Sequence, residues 1–216
     1  MKRSTTELRI RGNILAYFYL TKLPSFGTIK SMEILRKVYF FLLDIAQTLI
    51  LAAAAFVVVY MFLFRPFEVK GESMFPNFKD SQYLITNIIG LKLNSPKLGE
   101  VIVFKSPTEP DKDFIKRVIG VPGDTVMVKE SHVYLNGKML DETKYLLPSV
   151  VTSGGSFLRE GEQVTVPEGY FFVLGDNRPF SSDSREWGFV PKNNIIGDSF
   201  FVYWPIKSAG VINNPY

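Results

Sequence analysis

The strongest hydrophobic pattern in the chain is a run of 20 residues without charge, from Ile45 to Phe64. At about 1.5 Å of rise per residue, a helix of this length spans roughly 30 Å, the thickness of a bilayer's hydrocarbon core. A buried helix of a soluble protein usually keeps one polar face. Here the only polar groups belong to Gln47, Thr48 and Tyr60. The run therefore predicts one transmembrane helix.

The flanks of this run do not fit a cleaved signal peptide. The 44 residues before it are far longer than the basic region of a signal peptide. The run ends in Phe64, Arg65 and Pro66, where a cleavage site would need small residues. We therefore interpret residues 45–64 as an uncleaved signal anchor that follows a basic tail, residues 1–44.

The remaining residues, 65–216, show short apolar or alternating runs between turn-forming residues. Turns such as Pro122-Gly123-Asp124 and Gly175-Asp176-Asn177 follow from the backbone preferences of those residues. No long amphipathic helix pattern occurs there. The pattern predicts strands over Tyr83–Ile85, Val101–Phe104, Phe114–Ile119, Thr125–Val128, Tyr170–Leu174 and Ser199–Tyr203.

The clearest local signal is a β-hairpin from His132 to Leu140. Its turn is Asn136-Gly137, a pair that readily adopts the positive φ angles of a type I′ turn. Residues 144–162 have few periodic apolar positions and predict an extended loop on this framework. The domain is therefore predicted to be mostly β.

Composition restricts the chemistry that this domain can perform. The absence of cysteine excludes disulfides, thiolate metal sites, iron–sulfur clusters and a cysteine nucleophile. His132 is the only histidine, so a multi-histidine metal site is impossible and any histidine triad would need this residue. The sequence has no motif for a metal, a nucleotide or another cofactor, and we expect none.

Charge is unevenly distributed along the chain. The net charge is +4, yet residues 1–37 carry eight basic and two acidic residues, which leaves −2 for the remainder. A DNA-binding domain would place its basic residues on the fold itself, so nucleic acid is not an expected partner. The residues immediately flanking the anchor carry equal numbers of basic residues, but the short basic tail favours a cytoplasmic N-terminus. The domain of residues 65–216 is then predicted to face outward.

Ser73 lies in a Gly-to-Pro bend about ten residues after the anchor. A lone serine in such a bend is more often a turn residue than a nucleophile. The usual serine-hydrolase signatures are absent, because Phe75 and Pro76 occupy the positions where Gly-x-Ser-x-Gly and Ser-x-x-Lys need glycine and lysine. Only a suitable partner would make Ser73 a candidate nucleophile.

The candidate partner is Lys116. Because side chains alternate along a strand, Lys116 shares one face with Phe114 and Val118. Burial on an apolar face lowers the pKa of a lysine and allows it to act as a neutral base near neutral pH. The alternative is an edge lysine whose stem covers apolar surface while its amine reaches water.

Four segments, in order and directly after the anchor, resemble the sequence boxes of bacterial type I signal peptidases. These leader peptidases form the serine–lysine dyad family S26. The segments are Gly71–Pro76, Gly99–Phe104, Phe114–Asp124 and Gly175–Arg185. The resemblance covers roughly the last three quarters of the chain. It implies an antiparallel β-sheet or barrel catalytic domain after one transmembrane helix.

The resemblance also implies roles for five side chains. Ser73 is the nucleophile and Lys116 is the general base, without histidine. Ser181 donates to or accepts from the lysine amine and orients it. Asp183 and Arg185 form an ion pair that holds their loop beside the site. Without the other boxes, this last segment would read as a polar turn with a weak surface ion pair.

Substrate binding follows from the same resemblance. An extended substrate with small side chains at the first and third positions before the cut is expected to dock as an added strand. The residues beside it would be Glu68, Val69, Lys70 and Gly71. Some family members use a serine hydroxyl at the position of Gly71 in the oxyanion hole. Here that hydroxyl is absent, the N–H of Ser73 remains as a donor, and no second donor is assigned.

The implied function is that of signal peptidase I, a membrane-anchored serine endopeptidase on the outer face of the bacterial cytoplasmic (inner) membrane. Its partners would be preproteins with signal peptides and the lipid bilayer. Alternatives are a peptidase devoted to one secretion system, or a self-cleaving repressor, against which the anchor argues. A catalytically inactive, membrane-tethered binding module is the remaining alternative. Such a module has no reason to keep Ser73, Lys116 and Ser181 together.

Overall fold

A long helix precedes the β-domain. The structure is a computed structural model that describes residues 26–90 and 94–216. Helix α1 covers Phe26–Leu63. Its segment Ser31–Tyr60 is long and apolar enough to cross a membrane. The predicted N-terminal apolar helix is therefore confirmed. The helix begins at Phe26, well before Ile45, so the boundary at Ile45 between tail and anchor remains a prediction. Residues 1–25 of the predicted tail lie outside the described part of the chain.

The described chain divides into two compact units within α1, after Val57. The second unit is built from short strands, with one four-residue helix, α2 (Ser184–Trp187). Short 3-10 turns cover Arg178–Phe180, Lys192–Asn194 and Ile206–Ser208. The strands are β1 (Phe64–Glu68), β2 (Tyr83–Asn87), β3 (Val101–Lys105), β4 (Asp113–Gly120), β5 (Thr125–Lys129), β6 (His132–Leu135), β7 (Lys138–Met139), β8 (Gln163–Thr165), β9 (Tyr170–Leu174), β10 (Val190–Pro191), β11 (Ile195–Trp204) and β12 (Gly210–Val211).

The strands form two sheets in which every pairing is antiparallel. The larger sheet has the order β1-β2-β11-β3-β4-β9-β10, with β12 paired to β11. The smaller sheet has the order β7-β6-β5-β8. No pairing among the described strands closes either sheet into a barrel. The predicted mostly β, antiparallel fold is confirmed.

All six predicted strands are present, most of them one or two residues longer than predicted. The hairpin turn has φ angles of 53° at Asn136 and 76° at Gly137, as its sequence predicts. Strand β11 begins at Ile195, before the predicted start at Ser199. Gly197 and Asp198 are poor strand formers, and the register shifts at Gly197, so the sequence pattern is interrupted there.

One apolar core contains residues of both sheets. It contains residues from β4, β5, β6 and β9, together with three side chains of the region 144–162: Tyr145, Leu146 and Leu158. That region contains neither helix nor strand. Strand β9 lies between β4 and β10, and its residues Phe171 to Leu174 are all buried. Burial of both faces explains why β9 is a continuous apolar run. Strand β4 is likewise paired on both edges, to β3 and β9.

Candidate active site

Ser73 lies in the bend between β1 and β2. Gly71 begins the bend with a φ of +85°, a conformation that side chains disfavour, and its N–H donates to Asp80 Oδ1 at 2.7 Å. Met74 and Phe78 are buried in a core cluster and fix the following residues. These contacts fix the backbone on both sides of Ser73, whose own side chain is only partly buried.

Lys116 approaches this serine from β4. Its Nζ donates to Ser73 Oγ at 2.7 Å and to the carbonyl oxygen of Ile115 at 3.0 Å. The residue is only 4% exposed, and its Nζ lies 5.2 Å from the centre of the Phe114 ring. The two predicted site residues therefore lie within hydrogen-bond distance. The alternative of an edge lysine with a solvated amine is wrong, because β4 is an interior strand and the amine is buried.

Burial changes the proton affinity of this amine. Loss of hydration lowers the pKa of Lys116 from 10.5 to about 8, because the charged form is the one that water stabilises. The carboxylates of Asp183 and Asp176 oppose this change by favouring the charged form. Near pH 8, a substantial fraction of Lys116 is therefore neutral and can accept a proton.

Asp183 and Arg185 form the predicted ion pair, and it is buried. Arg185 Nε donates to Asp183 Oδ1 and its Nη2 donates to Oδ2, both at 2.8 Å. Their side chains are 0% and 7% exposed. The pair is therefore a fixed part of the fold, unlike the weak surface pair that the segment alone would suggest.

Ser181 lies close to Gly175 and to the carbonyl oxygen of Ser73, but it does not form the predicted hydrogen bond to Lys116. Its Oγ is buried and has no hydrogen-bond partner among the described residues. A Cβ added to Gly175 would overlap both Ser181 Oγ and the carbonyl oxygen of Ser73. Glycine at position 175 is therefore what allows the loop to approach Ser73 so closely.

A second buried ion pair beside the site was not predicted. Arg117 donates to Asp176 from Nε at 2.9 Å and from Nη2 at 2.7 Å, and Asn77 Nδ2 donates to the same carboxylate at 2.8 Å. Because side chains alternate along β4, Arg117 points to the opposite face from Lys116, and alternation alone does not show that this face is buried too. Apolar residues occur on both faces of β4, and Ile115 and Ile119 share the face of Arg117. These residues were the signal that could have predicted burial of Arg117.

The predicted substrate-binding segment lines a cleft that also includes Ser73 and Lys116. The cleft has a volume of about 190 Å³. Its lining residues include residues 67–70, residues 113–116, Val103 and Ser73. Glu68, Val69 and Lys70 are therefore lining residues, whereas Gly71 is not among them.

His132 lies on β6 in the smaller sheet. Its side chain is exposed, and its Nδ1 lies 2.7 Å from the carbonyl oxygen of Glu130. No described contact joins it to Ser73 or Lys116. Among residues 26–90 and 94–216, no group of three or more His, Asp or Glu side chains is arranged to hold a metal ion.

Comparison with known proteins gives a consistent result. A family model described as "Signal peptidase, peptidase S26" matches residues 42–204. Signal peptidase IB of Staphylococcus aureus strain MRSA252 is 36% identical over 186 residues, which cover 80% of this chain and 96% of that protein. A probable signal peptidase I-2 of Synechocystis sp. is 35% identical over 178 residues, which cover 80% and 78% of the two chains.

A solved structure of a signal peptidase I from Enterococcus faecalis V583 is also similar. It is 33% identical, with a TM-score of 0.40, and the match covers 49% of this chain and 97% of that chain. The family model alone spans well over half of the sequence. This chain therefore belongs to the signal peptidase family, peptidase S26.

Proposed function

We propose that the chain is a membrane-anchored serine endopeptidase that removes signal peptides from exported preproteins, with Ser73 as nucleophile and Lys116 as general base. The observation that carries this proposal is the 2.7 Å hydrogen bond between Lys116 Nζ and Ser73 Oγ, made by a buried amine. Family membership supports the peptidase activity and the preprotein substrate. The site geometry supports the serine mechanism.

The chemistry begins from neutral Lys116. Its lone pair then accepts the hydrogen bond, so the Ser73 hydroxyl donates to Nζ and transfers its proton as Oγ attacks the scissile carbonyl carbon. The N–H of Ser73 is one donor to the developing oxyanion. The protonated lysine returns the proton to the leaving amine, and an acyl-enzyme forms on Ser73. A water molecule then gives a proton to Lys116 and attacks this ester, Lys116 returns the proton to Ser73 Oγ, and the signal peptide leaves with a free carboxylate.

Two fixed pairs support this step. The carboxylate of Asp183 accepts the N–H of Gly175 at 3.1 Å while it is paired with Arg185. Arg117 neutralises Asp176 in the same way. Each carboxylate has its own arginine, and burial of the amine outweighs the two negative charges, so the pKa of Lys116 stays below its usual value.

The main chain of residues 68–71 limits how a substrate strand can add. The N–H of Val69 donates to Gln82 and its carbonyl oxygen accepts from Ser81, while the N–H of Gly71 donates to Asp80. These groups are therefore engaged on the β2 side. In an extended chain, the backbone N–H and carbonyl groups of alternate residues point to opposite sides. The backbone groups of Glu68 and Lys70 therefore point away from β2, and we propose that they pair with the substrate backbone.

We further propose that the domain after the anchor faces outward from the cytoplasmic membrane. The helical segment Ser31–Tyr60 supports a single crossing, and the basic residues of the N-terminal tail support a cytoplasmic N-terminus. The cleft would then lie on the side of the membrane to which preproteins are exported.

The test is cleavage of a preprotein by the full-length chain in detergent micelles, with mass spectrometry to identify the cut. We expect one cut after a residue with a small side chain, and no product from Ser73→Ala. The matched control is Ser95→Ala, which removes an exposed hydroxyl that accepts from Lys192 Nζ and contacts none of the proposed site residues. Undiminished cleavage by Ser73→Ala would refute the proposed nucleophile.

A further inference from the structure

Arg178 connects the region after β7 to the loop that carries the site. Its Nη1 donates to Thr152 Oγ1 at 2.7 Å, and both of its terminal nitrogens donate to the carboxylate of Glu142. The arginine side chain is completely buried, and Glu142 is only 12% exposed. A buried, bidentate pair of this kind has a fixed geometry, unlike a pair at the surface.

The same arginine reaches the residue that packs against the nucleophile. Its Nε donates to the carbonyl oxygen of Gly175 at 3.0 Å. The N–H of Gly175 donates to Asp183 at 3.1 Å, so both peptide groups of this glycine are held by buried side chains. Because Gly175 lies directly against the backbone of Ser73, its position sets the position of the nucleophile.

The region after β7 also holds the other end of the site loop. Arg185 Nη1 donates to the carbonyl oxygen of Ser153 at 3.1 Å, and Arg185 Nη2 donates to that of Arg178 at 2.7 Å. Both arginines of the loop are therefore tied to residues 142–153. This region has no secondary structure of its own, yet it supplies the carboxylate, the hydroxyl and the carbonyl group that hold the loop.

We propose that Arg178, clamped by Glu142 and Thr152, is a positioning residue of the Ser73–Lys116 site, and that residues 142–153 serve this purpose. The inference rests on the proposed serine mechanism. Arg178 touches neither reacting atom in the structure. It acts by holding Gly175, and through Gly175 the backbone of Ser73 and the loop of Asp176 and Asp183.

Loosening this clamp should also change the environment of Lys116. The charged groups that face its amine are Asp176 and Asp183, each paired with an arginine. The other charged residues of the cleft, Glu68, Lys70 and Asp113, are exposed at its rim. Burial is the largest influence on the Lys116 pKa. Water admitted by a displaced loop should therefore raise that pKa and move the activity profile to higher pH.

The experiment compares Arg178→Lys with the wild-type chain, at full length in detergent, by measuring kcat, KM and the pH dependence of kcat on a preprotein peptide. Lysine keeps the charge but loses the planar fork that reaches Gly175 and Glu142 together. We expect kcat to fall about 10- to 100-fold, as for a small misplacement of reacting groups, with KM little changed. The pH midpoint of kcat should move upward.

A second variant keeps the test decisive if Arg178→Lys folds poorly. Glu142→Gln preserves the side-chain volume and one acceptor oxygen but removes the charge. We expect a smaller fall in kcat and a smaller upward shift of its pH midpoint than in Arg178→Lys. The matched control is Arg159→Lys, whose partner Glu162 lies 3.9 Å away at the surface. All values are normalised to the folded fraction, so that lost stability alone cannot lower kcat.

A wild-type kcat and pH midpoint in folded Glu142→Gln and Arg178→Lys would overturn the positioning role. So would a fall in thermal stability with no change in either quantity, because that is what a purely structural pair would give. Failure of the serine mechanism is recognised separately, by activity that persists in Ser73→Ala.

Discussion

Replacing Lys116 with methionine should make the protein more stable at neutral pH and less stable at alkaline pH. The lysine side chain is buried against Phe114 and carries a positive charge at pH 7, where the carboxylates of Asp183 and Asp176 offset only part of its lost hydration. Methionine has a similar length and no charge. The substitution therefore removes the energetic cost of burying an ammonium group.

The size of the effect follows from the pKa of Lys116. A pKa lowered from 10.5 to about 8 means that burying the charged amine, rather than the neutral amine, costs about 3 kcal/mol of stability at pH 7, at 1.36 kcal/mol per pKa unit. Between pH 8 and 10.5 the unfolded chain binds this proton and the folded chain does not, so wild-type stability rises with pH in that window. Methionine also loses the two hydrogen bonds of Nζ, each worth about 1 kcal/mol.

We therefore expect Lys116→Met to be more stable than wild type by about 1 kcal/mol at pH 7, and less stable by about 2 kcal/mol at pH 10.5. The assay is urea unfolding of the full-length chain in detergent, followed by the fluorescence of Trp187 and Trp204, which both lie in the β-domain. The difference between variant and wild type cancels the titration of all other groups. A difference that is the same at both pH values would refute the burial of a proton-binding lysine.

Three further outcomes are expected. His132→Ala should leave kcat/KM within a small factor of wild type, because the imidazole lies exposed on the smaller sheet; a loss of several orders of magnitude would restore a histidine mechanism. Gly175→Ala should lower kcat by about 100-fold or more, since its Cβ would displace Ser181 and the backbone of Ser73; normal activity would show that this contact is dispensable. Protease added to intact spheroplasts should degrade the domain after Phe64 and spare the N-terminal tail, whereas a protected domain would reverse the orientation.

The sequence predicted the fold class well because its local signals agree. The apolar run, the Asn136-Gly137 turn and the apolar segment of β9 each specify their own element by local physics. The short strands β8, β10 and β12 have no such pattern, because each covers only two or three residues and is held by pairing to another strand. Pairing of this kind is not visible in a short stretch of residues.

The site was predictable only where a motif named its residues. Ser73 and Lys116 stand 43 positions apart, and neither has local features that distinguish it from a turn serine or an edge lysine. Thr152 was missed because it lies in the predicted loop of residues 144–162, and Glu142 because it lies between that loop and the hairpin that ends at Leu140. Their partner Arg178 reveals their role only once the chain has folded, since a buried ion pair depends on three-dimensional neighbours.

The most direct test of the central claim is the pH dependence of kcat/KM on a preprotein peptide for wild type and Lys116→Arg. The wild-type profile should rise with pH around a midpoint near 8, as Lys116 loses its proton. Arginine keeps a cation at this position but stays protonated, so the variant should bind the peptide and yet be nearly inactive between pH 6 and 10, roughly the range over which lysine can exchange its proton and arginine cannot. Substantial activity in Lys116→Arg, or a wild-type profile without a rising limb, would show that another group accepts the proton of Ser73.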